Sequence, residues 1–370
     1  MTQDSPMQEA TVNTWRQRVG RWSLLLLIAV FLSLTGCYTS SRLMSSSRAI
    51  QVFDNPSYNS VVNLGATGVS AVQRASHWRD ASGTRPSMAD TTQSFSKSGR
   101  LRIGAYNIAH GRGNGSDNWD GGNQGEREDR LREIAAFLRD SELDVVVLNE
   151  VDFDSSWSHR VNQAEFLARE AGFPYRVEHR NFDAALPFYS WRFGNAVLSR
   201  HPISAARLVE HPAYARWEGI LAGQKNGVVC TVDLPNDNQV RVLAVHLSHR
   251  SERTRIASAR MIAEERKREG PPLIAIGDFN STPTDFPHAE PDASGQTALS
   301  WLLGEGGFTT LFPATEDIGQ MTYSSTTPVR VIDWILVDDE LRLLSQEVPP
   351  LTLSDHRPII GVVGWKSHQK

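Results

Sequence analysis

The sequence has little that could cross-link the chain, repeat along it or give it a strong charge. Its 370 residues include only two cysteines and carry a formal net charge of −4. Two cysteines form one disulfide at most, so the chain has no disulfide framework, and if one of them is modified its domain must be stable through its core alone. The net charge favours neither nucleic acid nor an anionic membrane as a binding partner. We find no internal repeat of fixed period, and the composition is that of an ordinary globular protein with a large core.

Long hydrophobic runs are also scarce. Near the N-terminus, three arginines precede the thirteen-residue run WSLLLLIAVFLSL, which is short for a membrane span but typical of a signal-peptide core. The run leads into LTGC, residues 34–37, which resembles the bacterial lipobox, in which the cysteine is lipidated and begins the mature protein. We therefore predict a lipoprotein signal peptide over residues 1–36 and lipidation of Cys37. The alternatives are a plain signal peptide or a marginal membrane anchor, with Cys37 incidental.

The residues after the lipobox predict where the protein resides and how its domain is attached. Tyr38 stands where an inner-membrane retention signal would favour aspartate, so we expect a lipid anchor in the bacterial cell envelope, in the outer membrane rather than the inner. Residues 37–98 are rich in Ser, Thr, Arg and Asn and show no sustained period. They predict a flexible tether, in which a short strand or helix between Ala49 and Val62 is possible. Cys230 lies in a strand pattern and is predicted to be a buried, inert thiol.

The pattern of apolar residues changes at Leu101. LRIGAYNI and LDVVVLNEV predict strands on either side of the amphipathic helix EREDRLREIAAFLRD. A second helix, NQAEFLAREAG, is followed by four strands, a charged helix, the strand PLIAIGDFN, a helix through ALSWLLGEGG and two final strands, VRVIDWILV and RPIIGVVGW. Because several strands follow one another without a helix between them, the sheets must be mixed rather than wholly parallel.

Polar groups that can bind a metal recur at the ends of these strands. Leu273 to Ile276 predict a buried strand that ends in Asp278, whose carboxylate costs several kcal/mol to bury unless it is paired. The other members of this set are Asn107, Glu150, His246, Asn280, Asp333, Asp355 and His356. Each alone has an ordinary explanation, such as a turn cap, an ion pair or a satisfied core histidine. Together they suit a hard cation and proton transfer.

Seven motifs in order, AYNI, LNEVD, GNAVLSRHPI, VHLSH, GDFNSTP, IDWILV and SDHRPI, extend from Leu101 to Trp365. With these seven motifs in this order, the chain resembles the endonuclease/exonuclease/phosphatase superfamily of metal-dependent phosphoesterases. The resemblance implies an α+β fold, a deoxyribonuclease-like four-layer α/β/β/α sandwich of two mixed β-sheets, with a cleft along one edge. We assign the catalytic domain to residues 99–370.

The resemblance also implies a metal site. It makes Glu150 the principal ligand of Mg²⁺, or alternatively Mn²⁺, with Asn107 beside it and Asp355 in the shell of the ion. One firm carboxylate with a few neighbours suffices, because Mg²⁺ keeps most of its waters. The superfamily usually has Gln before this Glu, whereas this chain has Asn149.

The remaining roles concern the phosphate. By resemblance, Asp278 orients or deprotonates the attacking water, and Asn280 holds a phosphate oxygen. His356, fixed in its tautomer by Asp333, donates to the phosphoryl group, and His246 faces it from the other side. Two further residues are assigned to substrate binding: Asn195, and His249, for which a surface turn is an equal alternative.

A glycine-rich stretch and an arginine-rich helix resemble a phosphate-binding loop and a nucleic-acid-binding patch, but their details support neither interpretation. The glycines of HGRGNGSDNWDGGNQG fit neither the dinucleotide fingerprint nor the Walker pattern, so we predict a mobile loop at the rim of the cleft. The helix from Arg253 to Arg268 alternates arginine with glutamate, which predicts a solvated face rather than a nucleic-acid patch.

The predicted activity is hydrolysis of a phosphate ester. A binuclear zinc or iron phosphatase would need a Gly-Asn-His element and a downstream histidine pair, and the sequence has neither. We favour a phosphodiester, from nucleic acid or a phospholipid head group, because the motifs supply no lysine or arginine clamp for the extra charge of a monoester. The alternatives are a phosphomonoesterase of the inositol-phosphate type and a non-catalytic surface lipoprotein. We expect a monomer.

The lipobox generates the first testable prediction. Cys37→Ser should block lipidation and either release the domain from the membrane or stall its maturation, because so short an apolar run cannot anchor the protein whereas several acyl chains can. Membrane fractionation and intact mass of the two forms measure this. Equal membrane retention without an acyl mass difference would count against lipidation.

Overall fold

The computed structural model describes residues 50–53, 59–63, 72–75, 99–185, 188–215, 217–218, 223–311 and 318–366. The predicted signal peptide and Cys37 lie outside the described residues, so both stay predictions. In the part of the chain that is described, no helix combines the length and apolar character needed to cross a lipid bilayer.

The larger of two sheets is mixed. Its strands are numbered in chain order, and their spatial order is β13 (Leu341–Glu347), β14 (Ile359–Trp365), β4 (Arg100–Asn107), β5 (Val145–Asp152), β7 (Ser190–Ser199), β6 (Tyr175–Ala185), β1 (Ile50–Phe53), β2 (Asn59–Asn63) and β3 (Val72–Ala75). The pair β4 and β5 is parallel, and the other pairs are antiparallel. Since parallel strands need a crossover, helix α1 (Gln124–Asp140) connects β4 to β5.

The smaller sheet is also mixed. Its spatial order is β12 (Asp333–Val337), β11 (Leu273–Asp278), β10 (Gln239–His246), β9 (Gly227–Asp233) and β8 (Ile203–Val209). In this sheet β10 and β11 are the parallel pair, and helix α3 (Glu252–Arg266) connects them. In the described ranges the other α-helices are α2 (Gln163–Ala171) and α4 (Ala298–Leu303).

Helix ends follow the local sequence. Asn123 and Glu126 form a reciprocal capping box at the start of α1, which satisfies two backbone N–H groups that the helix itself cannot. Helix α2 is capped at its C-terminus by Gly172, which adopts the left-handed conformation with φ 76°. The predicted bounds of these two helices are thus confirmed to within two residues.

Three apolar clusters define the layers. One lies between the two sheets and includes Ile103, Val147, Val242 and Ile276. A second packs α1 and α2 on the outer face of the large sheet, and a third packs α3 and α4 on the outer face of the small sheet. The predicted four-layer sandwich of two mixed sheets is therefore confirmed.

The strands differ from the sequence prediction in three places. The sequence pattern does not predict β8 and β13, because their exposed positions interrupt the apolar residues. Strands β1, β2 and β3 lie within the range interpreted as a tether, and β1 pairs with β6 of the large sheet. The short element considered between Ala49 and Val62 is thus β1 together with most of β2. Much of residues 37–98 lies outside the described residues, so a tether there stays a prediction.

Gly277, next to the end of β11, generates a stability prediction. Its φ is 136°, and a Cβ at this position would lie 2.2 Å from the carbonyl oxygen of Val245 and 2.9 Å from Asn149 Oδ1. Gly277→Ala should therefore lower the free energy of unfolding by about 3 kcal/mol or more, because backbone strain and overlap add.

The matched control is Gly172→Ala. Gly172 also has positive φ but open space around its Cα, so the cost should be about 1 kcal/mol. Urea unfolding of both variants measures the difference. Equal costs would contradict the role assigned to the close approach at Gly277.

Candidate active site

Strand register gathers the polar strand ends at one edge of the sandwich. In the large sheet Asn107 is opposite Asn149, one residue before Glu150. In the small sheet His246 is opposite Asp278, which is in turn opposite Asp333. The two parallel pairs therefore end at the same edge, as the resemblance implied.

The sheets are joined at this edge through Asn149. Its Oδ1 accepts a hydrogen bond from the backbone N–H of Asp278 at 3.1 Å. Its Nδ2 donates to Asn195 Oδ1 at 2.9 Å, and Asn195 Nδ2 donates to the carbonyl of Asn226 at 3.2 Å. Asn195 is fully buried, so in this structure its amide positions Asn149, and substrate binding by Asn195 stays a prediction.

The carboxylate of Asp278 is 1% exposed and surrounded by donors. The backbone N–H of Asn280 donates to Oδ1 at 2.8 Å, and the side-chain amide of Asn280 donates to Oδ2 at 3.0 Å. Asn107 Nδ2 also donates to Oδ2, at 3.2 Å. Burial raises the pKa of Asp278 to about 6 even though His356 lowers it. Asp278 can therefore exchange a proton near neutral pH.

His356 and Asp333 form a buried pair beside Asp278. His356 Nδ1 donates to Asp333 Oδ2 at 2.8 Å, and His356 Nε2 lies 3.8 Å from Asp278 Oδ2. Burial lowers the pKa of His356, but Asp333 and then Asp278 overcome this and raise it to about 10. The imidazole therefore carries a proton at neutral pH, with Nε2–H directed toward the site. The hydrogen bond to Asp333 holds the proton on Nδ1 and sets the orientation of the ring, which is the geometry that the predicted role of Asp333 requires.

Glu150 has the most accessible carboxylate of this group, with a side chain 26% exposed. Its backbone is in the left-handed region, with φ 52°. Burial opposes ionisation, but the nearby positive groups, His110 first and Lys225 among them, outweigh it and hold the pKa of Glu150 well below its ordinary value. His110 Nε2 and His246 Nε2 lie 3.6 and 3.7 Å from its oxygens. Within the described part of the chain, no hydrogen bond reaches this ionised carboxylate.

Lys225 enters the site from the loop before β9, and sequence reasoning missed it. Its Nζ lies 2.5 Å from His246 Nε2. Burial and then Lys225 lower the pKa of His246 well below its ordinary value, so His246 is a neutral acceptor. The motifs supply no lysine or arginine clamp, but the structure places Lys225, which lies outside the motifs, in the site. The available signal was a lysine directly before a strand that neighbours β10.

His110 was also missed, because it stands in the glycine-rich stretch interpreted as a rim loop. It follows Asn107 by three residues, in the short 3₁₀ turn Ala109–Gly111. His110 Nδ1 donates to Asp152 Oδ1 at 2.8 Å, and Asp152 also accepts from Trp157 Nε1. Arg127 of α1 donates to the carbonyl of His110. This end of the loop therefore belongs to the site rather than only to its rim.

The other predicted residues lie around this centre. Asp355 Oδ2 accepts from Arg112 Nη2 at 2.7 Å, so an arginine of the same loop already faces this predicted ligand. The Oδ1 of Asn107 accepts from the backbone N–H of Ala109. His249 is exposed in the turn after β10. The ligand roles of Asp355 and Asn107, and the phosphate contact of His249, stay predictions.

Among the residues that the structure describes, one group of histidine and carboxylate side chains is close enough to hold a metal ion. Ligand atoms of Asp278, Asp333 and His356 all lie within 4.8 Å of one another. This group differs from the predicted ligands, of which Glu150 is the principal one. His356 Nδ1 is hydrogen-bonded to Asp333 and the ring is protonated, so the imidazolium already supplies positive charge between the two aspartates in place of a metal ion. Glu150, ionised and without a hydrogen-bond donor among the described residues, fits a hard cation better.

Comparison with solved structures identifies the same fold. An endonuclease/exonuclease/phosphatase from Beutenbergia cavernae is 22% identical, with a TM-score of 0.53 over 72% of each chain. A family protein from Bacteroides thetaiotaomicron is 14% identical, with a TM-score of 0.53 over 72% of this chain and 98% of that one. A mannosyl-6-phosphatase from the same organism is 15% identical, with a TM-score of 0.50 over 72% of this chain and 100% of that one. At such identities these likenesses establish the fold alone.

Sequence comparison establishes the family. Among curated proteins, none matches this chain. The model of the Endonuclease/Exonuclease/phosphatase family matches residues 104–356, a range that contains every predicted site residue from Asn107 to His356. Because this match spans more than half of the chain, the protein belongs to the endonuclease/exonuclease/phosphatase family.

Proposed function

We propose that the protein hydrolyses a phosphate ester by in-line attack of a water, assisted by one divalent cation, Mg²⁺ or Mn²⁺. The observation that carries this proposal is the buried arrangement of Asp278, His356 and Asp333. It places a carboxylate that can accept a proton next to an imidazolium that can donate one.

The chain's own residues fit such a cation at Glu150. The Glu150 carboxylate is ionised, partly exposed and not hydrogen-bonded within the described residues, which suits a site for a hard ion. A bound divalent cation would polarise a phosphoryl oxygen and offset charge on the leaving group. The positive groups His110 and Lys225 help to keep the Glu150 carboxylate ionised.

The protein groups then act on the water and the phosphate. Asp278, held by Asn280 and Asn107, orients the attacking water and accepts its proton. His356 donates from Nε2 to a phosphoryl oxygen, while Asp333 keeps the proton on Nδ1. This fixed donor requires no reorganisation when charge develops, which is the condition under which electrostatic stabilisation of the transition state is largest.

The preference for a phosphodiester that the motifs suggested does not hold for the folded protein. The preference for a diester depends on the lack of a cationic clamp in the motifs, and the structure places Lys225 beside His246. Nucleic acid and phospholipid head groups are therefore not favoured as substrates over other phosphate esters. For location, we propose the lipid-anchored envelope protein that residues 34–37 predict; support for it comes from the sequence alone.

Glu150→Gln tests the metal assignment. The variant keeps the shape of the side chain and removes its charge, so phosphoesterase activity of the full-length protein should fall at least about 100-fold and recover partly at high Mg²⁺. Activity is measured on paired synthetic mono- and diesters, plasmid DNA, RNA, sphingomyelin and inositol phosphates, across metal concentrations. Glu347→Gln is the control, because that exposed carboxylate pairs with Arg102 away from the site.

Full activity of Glu150→Gln at low metal would show that the metal assignment is wrong. Absence of turnover of every ester by the wild-type protein would instead favour a non-catalytic scaffold. Asp278→Ala and His356→Ala should each abolish whatever ester hydrolysis the wild type shows.

Asp333→Asn tests the proposed proton donor. Loss of this carboxylate should lower the pKa of His356 from about 10, because Asp333 is the largest cause that raises it. We expect activity to fall about 10- to 100-fold. An NMR titration of the His356 ring with metal removed measures the pKa, and Asp152→Asn, which removes the partner of His110, should leave it unchanged.

The same pair makes a pH-dependent contribution to stability. The folded pKa of His356 lies above the ordinary value of about 6.5. Its contribution is therefore fully present below about pH 6.5 and is lost as pH rises toward 10. If the stability difference between wild type and Asp333→Asn does not shrink over this range, the Asp333–His356 pair is not a charged one.

A further inference from the structure

We propose that Lys225 is a substrate-binding residue that contacts the non-bridging oxygens of the phosphate and directs the site toward phosphomonoesters. This inference rests on the proposed function, since it names the class of ester that the same site takes. It assigns a cation to the place where the sequence motifs supply only histidines.

The position of Lys225 places its ammonium inside the cluster of reacting groups. Its Nζ lies 2.5 Å from His246 Nε2, and that nitrogen lies 3.6 Å from Asp278 Oδ2 and 3.7 Å from Glu150 Oε1. Burial lowers the pKa of Lys225 below its ordinary value, and the Glu150 and Asp278 carboxylates limit that fall. A phosphate positioned between the proposed base and the proposed metal ligand would therefore meet this ammonium.

Lys225 is also more accessible than the histidine beside it. His246 is 3% exposed, and its Nε2 accepts from Lys225. Lys225 is only partly buried. An ammonium has three N–H donors, so one can bind His246 while others bind a ligand. The donor that faces the phosphate from this side is therefore Lys225 rather than His246.

The charges around the site show why this lysine bears on the ester class. The other cations have carboxylate partners: Arg112 pairs with Asp355, His356 with Asp333 and His110 with Asp152. Among the described residues, no carboxylate oxygen lies within ion-pair distance of Lys225 Nζ. Its charge is therefore available to a ligand.

A monoester and a diester differ in the charge that the site must neutralise. Above about pH 6 a monoester phosphate carries close to two negative charges, whereas a diester carries one. A cation with no direct carboxylate partner offsets that additional charge, and a charge-assisted hydrogen bond to it is among the stronger polar contacts. The monoester thus gains more from Lys225 than the diester does.

The test compares two esters that share a leaving group, 4-nitrophenyl phosphate and methyl 4-nitrophenyl phosphate. In the full-length wild-type protein, kcat/KM should be higher for the monoester. Lys225→Met should reduce kcat/KM for the monoester about 10- to 100-fold more than for the diester, and Lys225→Arg should restore most of the loss. Lys267→Met is the control, because that exposed lysine pairs with Glu264 on the outer helix.

Ligand binding provides a second readout that does not depend on turnover. With metal removed by a chelator, calorimetry should show that Lys225→Met weakens binding of inorganic phosphate about 10-fold more than binding of dimethyl phosphate. If Lys225→Met does not unfold cooperatively, Lys225→Gln replaces it in both measurements.

The outcomes separate this inference from the function on which it rests. Equal losses for the two esters, or equal weakening of the two ligands, would overturn the assignment of Lys225 while leaving phosphoester hydrolysis intact. No hydrolysis of either ester by the wild type would count against the proposed function, and the binding measurement would still decide whether Lys225 selects a doubly charged phosphate.

Discussion

The candidate active site depends on one constraint: the buried carboxylate of Asp278 must be hydrogen-bonded and paired with positive charge. An isolated carboxylate at 1% exposure would cost several kcal/mol even after relaxation of its surroundings. The structure meets this cost with three hydrogen bonds, two from Asn280 and one from Asn107, and with the imidazolium of His356 nearby. Removal of one donor would leave the charge partly unsatisfied, so the donors are constrained together.

This constraint extends into both sheets. Asn107 comes from the large sheet and Asn280 from the loop after the small sheet, so satisfying Asp278 fixes the two sheets relative to each other at this edge. Asn149 adds a direct link, because its side chain accepts the backbone N–H of Asp278. The space for that contact exists because position 277 is glycine, where a Cβ would collide with Asn149 and with β10. Core packing sets the distance between the sheets, and these amides align their ends.

The sequence was sufficient for features that depend on local pattern. The apolar run Leu273 to Ile276 predicts β11, and polar residues directly after strands predict the edge at which Asp278, His356 and Glu150 meet. Strands β8 and β13 escaped prediction because their solvent-facing residues break the apolar alternation that marks a strand.

Residues positioned by distant packing could not be found in the same way. His110 and Lys225 lie in segments without a period, and their places depend on contacts such as that of Arg127 with the His110 carbonyl. Arg112 likewise reaches Asp355 across 243 positions of sequence. Conversely, Asn195 belongs to a family motif, yet its amide is engaged with Asn149 and Asn226 inside the protein. Sequence motifs therefore predict which segments form the site, but they do not predict which group each side chain contacts.

The same distinction explains why the class of ester could not be argued from the motifs. In the proposed mechanism, Asp278 accepts a proton and His356 donates one whatever the phosphate ester, so these residues do not distinguish one ester from another. Selection depends on the total charge that faces the phosphate, which requires the position of every nearby cation. Two positive charges as close as Lys225 Nζ and His246 Nε2 would repel by several kcal/mol at an effective dielectric constant of about 20. The two groups therefore cannot both be charged, and His246 is the neutral one because burial and then Lys225 lower its pKa well below its ordinary value. The charge on this side of the site belongs to a loop residue that no motif contains.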